Sequence, residues 1–176
     1  LEVFTRSWED KDFGLKLDSF REGLVKVKNQ KEPYVSSELG KRFNIKAIAP
    51  IYNDKNIFIG SLEVIVDFKS LVNRLKTLGI DSIVMLEKDY LKIATYHQNN
   101  QKFKDYAILE SSFTKGLLDI LEKNPQFLKK DKFYYELDNR IFTQIPLGEF
   151  ENSSVGVLFI SFDKNINNFR YLPKYD

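Results

Sequence analysis

Ala49-Pro50-Ile51 followed by Gly60-Ser61-Leu62-Glu63-Val64-Ile65-Val66-Asp67, and Ile145-Pro146-Leu147 followed by Gly156-Val157-Leu158-Phe159-Ile160-Ser161-Phe162-Asp163, decide how this chain folds. The two stretches lie 96 residues apart, and each reads proline, nine residues, glycine, six residues, aspartate. In each, an apolar strand is expected to stop at the proline. A polar turn follows (Asn53-Asp54-Lys55-Asn56; Glu149-Phe150-Glu151-Asn152), and a second apolar strand opens at the glycine. Proline lacks the N–H a ladder needs, and glycine lets a returning backbone bend or pack closely. The pattern is one hairpin used twice, the mark of a repeated supersecondary unit.

Working outward, residues 13–28 read as a helix, with Leu17, Phe20, Leu24 and Val27 at helical spacing and charged residues on the other faces. Residues 34–39 and 43–52 read as strands around a turn at Gly40, and 57–66 as the strand after them. Residues 68–78 form a short amphipathic helix that stops at Gly79 and connects the halves. In the second half, 82–87 and 91–96 read as a strand pair turning at Lys88-Asp89. Residues 98–102 are a loop, and 112–123 a helix cut off by Asn124-Pro125. Residues 133–137, 140–147 and 154–163 read as strands, and 1–5 as a further one. Strands clustered after helices, without regular alternation, predict an α+β fold of antiparallel sheets with helices on one face.

The composition narrows the function. Lys and Arg number 27 against 25 Asp and Glu, a net charge of +2 with the signs interspersed, so the surface carries no nucleic-acid footprint. The basic runs at 26–31 and 129–132 sit where helix ends and turns are expected. Without cysteine there is no disulfide, thiolate metal site or cysteine nucleophile, and a single histidine, His97, excludes a histidine-rich metal site. The eight glycines are scattered singly and form neither a dinucleotide fingerprint nor a phosphate loop, and no Gly-x-Ser-x-Gly elbow exists. No catalytic set and no cofactor are expected. The longest apolar run, 57–68, is broken by Gly60, Glu63 and Asp67 and falls short of the ~20 residues of a membrane span. With Leu1 rather than methionine at its start, the chain reads as a piece of a longer protein. Tyr96, Tyr106, Tyr134, Tyr135, Phe142 and Gln144 could line an aromatic pocket, but they are equally ordinary sheet residues.

Arg6-Ser7-Trp8, Leu17-Asp18-Ser19-Phe20-Arg21, Glu38-Leu39-Gly40, Ile45-Lys46-Ala47-Ile48-Ala49-Pro50-Ile51 and Gly60-Ser61-Leu62-Glu63-Val64 together carry a resemblance. The chain resembles the extracytoplasmic double-Cache sensor domains of bacterial chemoreceptors, sensor histidine kinases and diguanylate cyclases. The resemblance covers about residues 4–68 well and reaches the second half only through its hairpin. Lys46 stands where the family usually has arginine, and the long N-terminal helix that precedes the first module in such sensors is absent. The resemblance implies two PAS/Cache-like modules, a membrane-distal one over 1–78 and a membrane-proximal one over 79–176. It further implies a small-metabolite ligand held between sheet and covering helices, membrane anchors outside this piece, a periplasmic location and a homodimer. The terminal segment 165–172 would pass a ligand-driven shift toward the membrane. The rival reading is a PAS-like interaction module of a cytoplasmic regulator.

Arg6 and Trp8 lie two apart on the presumed first strand, hence on one face, and Arg21 lies on the helix after it. If that helix covers the sheet as in the resembled family, two guanidiniums and an indole meet at one cavity. Paired N–H donors and a flat apolar wall suit a small carboxylate. Lys46 and Glu63, from neighbouring strands, could hold an opposite charge or pair with each other. The structural alternative is an ion pair of Arg6 with Glu38 or Glu63, with Trp8 simply in the core. The candidate ligand-binding residues are therefore Arg6, Trp8, Arg21, Glu38, Lys46 and Glu63.

Overall fold

A computed structural model describes residues 1–7, 13–17, 21–112, 116–129, 132–150 and 153–166. The chain divides into two compact units, Leu1–Val66 and Asp67–Asp176. Each is an antiparallel sheet with helix packed on it, the expected α+β pair of Cache-like modules.

In the first unit, helix α1 (Glu22–Gln30) precedes strands β1 (Tyr34–Glu38), β2 (Asn44–Tyr52) and β3 (Phe58–Val66), which pair in the order β1-β2-β3. Helix α1 buries Gly23, Leu24 and Val27, and its core partners are Leu17 and Ile48. It ends at Lys31, whose left-handed backbone (φ 63°) turns its N–H onto the Val27 carbonyl. The helix expected from residue 13 begins only at Glu22. Ahead of it Lys16 bridges to Glu2, Leu17 N–H donates to Leu1 O and Val3 N–H to Leu15 O, each at 3.0 Å. Gly14, at φ 75°, precedes the second of these stretches and donates its N–H to the Val3 carbonyl at 2.8 Å. Amides spent on that pairing cannot feed a helix, and the strand read over 1–5 is likewise only this one bridge.

The second unit runs α2 (Phe68–Thr77), β4 (Asp81–Glu87), β5 (Lys102–Phe103), β6 (Tyr106–Ser111), α3 (Gly116–Lys123), β7 (Tyr135–Leu137), β8 (Arg140–Phe150) and β9 (Ser153–Asp163). Its six strands lie in the order β5-β6-β4-β9-β8-β7. Asp67 caps α2 by accepting from the Lys69 N–H, and Gly79 follows the helix at φ 77°. Residues 91–96 are not a strand. They belong to two 3₁₀ turns, Lys88–Lys92 and Thr95–His97, with the Ile93 and Ala94 N–H groups turned back onto the Tyr90 carbonyl. The true partner of β4 on that side is β6. Strand β4 is buried along most of its length between β6 and β9. Leu117 and Leu121 of α3 share a core with Met85, Phe142 and Phe159, with Phe127 stacked 5.0 Å from Phe142.

The two hairpins share one register. From Ile45↔Val66 to Ile51↔Gly60, moving a pair of the first by 96 residues gives a pair of the second: Ile45↔Val66 becomes Ile141↔Phe162, Pro50↔Ser61 becomes Pro146↔Val157, and Ile51↔Gly60 becomes Leu147↔Gly156. The strands do not stop at the prolines, however; β2 runs on to Tyr52 and β8 to Phe150. Pairing of β1 with β2 ends at Tyr34↔Ile48, and of β7 with β8 at Tyr135↔Phe142. Each proline thus sits where its strand has a ladder on one side only, and a missing N–H is tolerated. Nor do the second strands open at glycine, since Gly60 and Gly156 lie inside them. Gly60 adjoins the register shift at Ile51/Tyr52 and has open space where a Cβ would stand, so it accommodates a bulge rather than close packing.

Candidate functional site

The period-2 alternation of β1, β2 and β3 sends Ser36, Glu38, Lys46, Ile48, Ser61 and Glu63 to the face that α1 covers. Arg21, the residue before α1, reaches down to this face. Its Nε donates to Glu38 Oε2 at 3.2 Å, and its Nη2 donates to Glu63 Oε1. Glu38 Oε1 accepts from the Ser36 hydroxyl at 2.5 Å. Gly23 makes room for this carboxylate, because a Cβ there would stand 2.0 Å from Glu38 Oε1. Arg21 and Glu38 are buried, and Glu63 is half-buried.

Lys46 is 4% exposed, and among the described residues its Nζ donates only to the backbone carbonyls of Leu39 and Glu38, at 3.3 and 3.4 Å. No ion pair joins it to a carboxylate among the described residues. Burial, aided by repulsion from Arg21, pulls its pKa down from 10.5 to about 8, against the opposing pull of Glu38 and Glu63. Among the described residues two cations and two carboxylates therefore share this face, with Arg21 ion-paired to both carboxylates and Lys46 to neither. Opposite Pro50 on the same face, the Ser61 hydroxyl is buried without a hydrogen-bond partner among the described residues.

Of the six residues read from the sequence, the structure brings Arg21, Glu38, Lys46 and Glu63 onto one face. Glu38 and Glu63, the carboxylates foreseen as partners of Arg6, are both bonded by Arg21. Arg6 is half-buried, and Trp8 lies outside the described residues, so the meeting of two guanidiniums and an indole is not described. Ser36, Gly23 and Ser61 were missed. Ser36 was legible, since a serine two residues before Glu38 on one strand must share its face; Gly23 needed the helix-to-sheet distance. In the second unit Tyr96 and Tyr134 are exposed while Phe142 is core, so those aromatics do not share one pocket.

The repeat sharpens the contrast between the units. One repeat length on from Lys46 and Glu63 stand Phe142 and Phe159, buried in the second core with ring centroids 6.3 Å apart. The same inward positions carry charge in one copy and phenyl rings in the other.

A family model described as "double sensory domain of two-component sensor kinase" matches residues 1–165. The chain belongs to this family. It is a sensory domain. No curated protein sequence matches the chain. Two solved structures are similar to it. One is an extracellular ligand binding receptor from Desulfohalobium retbaense, 12% identical, over 85% of this chain and 25% of that one, with a TM-score of 0.41. The other is the ligand-binding domain of the Pseudomonas fluorescens chemoreceptor CtaA in complex with L-leucine, 18% identical, over 78% of this chain and 53% of that one, with a TM-score of 0.30. The chain spans about a quarter and about half of these two structures. Among the described residues no helix of this double sensory domain is long and apolar enough to cross a membrane, and no cluster of acidic or histidine side chains is arranged to hold a metal.

Proposed function

We propose that this double sensory domain is the extracytoplasmic part of a bacterial transmembrane receptor, and that its first unit binds a small carboxylate metabolite at Lys46 and Arg21 without catalysing any reaction. The observation that carries the site is Lys46, a buried ammonium with two long carbonyl contacts and, among the described residues, no carboxylate in ion-pair range. Burying an incompletely paired charge is costly, and the second unit closes the same hairpin face with Phe142 and Phe159 instead. The fold has no structural need of the charged set, which supports holding it for an anionic partner. A ligand carboxylate would supply Lys46 with the counter-charge it lacks and draw on Arg21 in exchange for Glu38 or Glu63. Binding in the distal unit then shifts an equilibrium between two arrangements of the receptor, by the ligand's difference in affinity for them, typically about 1–3 kcal/mol. Anchoring through segments outside these residues, dimerisation and transmission through 165–172 complete the reading; beyond Ile166 that segment lies outside the described residues.

The test is a thermal-shift panel of organic acids, amino acids and amines on the wild type and on Lys46→Met. Ligand at ~100 times its dissociation constant adds about 2.7 kcal/mol to stability. The expected result is a hit among the carboxylates that disappears in Lys46→Met while the variant itself stays folded. A hit retained in that variant, or hits confined to amines, would refute the placement.

A further inference from the structure

The two carboxylates on Arg21 are held differently. Glu38 is fixed at both oxygens: Oε2 accepts from Arg21 Nε at 3.2 Å and Oε1 from the Ser36 hydroxyl at 2.5 Å, and Gly23 closes over it with no room for a Cβ. Glu63 makes one hydrogen bond among the described residues, accepting from Arg21 Nη2 at Oε1. Its side chain is 17% exposed against 10% for Glu38, so it is the more accessible of the two as well as the less anchored.

The guanidinium divides along the same line. Nε belongs to Glu38, while Nη1 and Nη2 form a fork of the kind a carboxylate takes bidentately, and Glu63 occupies it through a single oxygen. A carboxylate from outside that engaged both nitrogens would gain a bond that Glu63 does not make, and Glu38 would keep Arg21 in place during the exchange. Glu63 lies on β3, which runs through the cap residue Asp67 directly into α2, so the exchange acts on the strand that leads into the second unit.

Resting on the carboxylate-binding reading above, we infer that Glu63 is a built-in competitor for the site: it holds the Arg21 Nη fork against weak anions and yields it to a ligand carboxylate, while Glu38 and Ser36 stay as the anchor. Tethered beside the fork, Glu63 competes as an intramolecular ligand, and only an anion that makes up for the broken ion pair displaces it. Glu63 thereby sets the affinity threshold of the site and favours planar, bidentate carboxylates.

Acetate, a bare carboxylate, and acetamide, its uncharged isostere, test this by NMR titration of the ¹⁵N-labelled whole chain, read at the Arg21 Nε–H and the backbone amides of Lys46 and Glu63. Glu63→Gln should bind acetate about tenfold more tightly than the wild type, the worth of one hydrogen bond between charged groups, and acetamide no more tightly. Glu63→Asp, which keeps the charge but draws it back from Nη2, should also gain, by less. Glu38→Gln removes the same charge without freeing the fork, so its gain should be several-fold smaller than that of Glu63→Gln. An acetate affinity that neither variant at Glu63 raises, or an equal gain in Glu38→Gln, would overturn the competition; where Lys46→Met still abolishes acetate binding, the carboxylate site stands without it. Absence of acetate binding in the wild type and every variant would overturn both.

Discussion

Lys46 keeps its charge where water does not reach, and pH makes the cost of doing so measurable. Its folded pKa of about 8 lies below the 10.5 of an ordinary lysine, so below pH 8 both states are protonated and the folded state bears the whole penalty, about 3 kcal/mol. Between pH 8 and 10.5 the unfolded chain holds more protons than the folded one, and stability rises with pH. Tyr106 opposes this at the top of the window. Burial, with Glu87 and Asp105 nearby, raises its phenol pKa, so above pH 10 it draws stability down. Urea unfolding of the wild type should therefore show increasing stability from pH 8 to about 10. In Lys46→Met that rise should vanish, and at pH 7 the variant should be more stable than the wild type by about 1–3 kcal/mol. A destabilised Lys46→Met, or a wild type with no rise, would show that the ammonium is adequately paired.

At the scale of elements, α1 and β1 fit together through one missing methyl group. Alanine in place of a helical glycine ordinarily stabilises by about 0.5–1 kcal/mol. Gly23→Ala should do the opposite, because its Cβ would meet Glu38 Oε1 at 2.0 Å and Ile48 Cδ1 at 2.9 Å while Arg21 and Ser36 hold that carboxylate in place. A loss of about 1–3 kcal/mol by urea denaturation is expected; a gain would mean that Glu38 swings aside freely. The hairpins were legible because proline, glycine and strand alternation are local signals that here agree with one another. Two elements were not. Residues 91–96 alternate like a strand, yet β4 takes Tyr106–Ser111 as its neighbour, a long-range pairing that six residues do not encode. The start of α1 was placed too early because Leu17 falls at helical spacing with Leu24, while the backbone at Leu15 and Leu17 is bonded to Val3 and Leu1.

Over the whole molecule, two modules with one hairpin register divide the chemistry between them. The first places Arg21, Lys46, Glu38 and Glu63 on its inward face, and the second fills the matching positions with Phe142 and Phe159. The sequence carried the repeat and four of the residues gathered on the charged face. It did not carry who pairs with whom, because Arg21, Glu38 and Glu63 meet only across 17 and 42 residues of chain. Hydrogen exchange of the complete chain, with and without a saturating carboxylate hit, tests the assignment most directly. Protection should grow at Glu22–Gln30, Tyr34–Glu38, Asn44–Tyr52 and Phe58–Val66 in the wild type and not in Lys46→Met. Protection confined to Arg140–Phe150 and Ser153–Asp163 would contradict it.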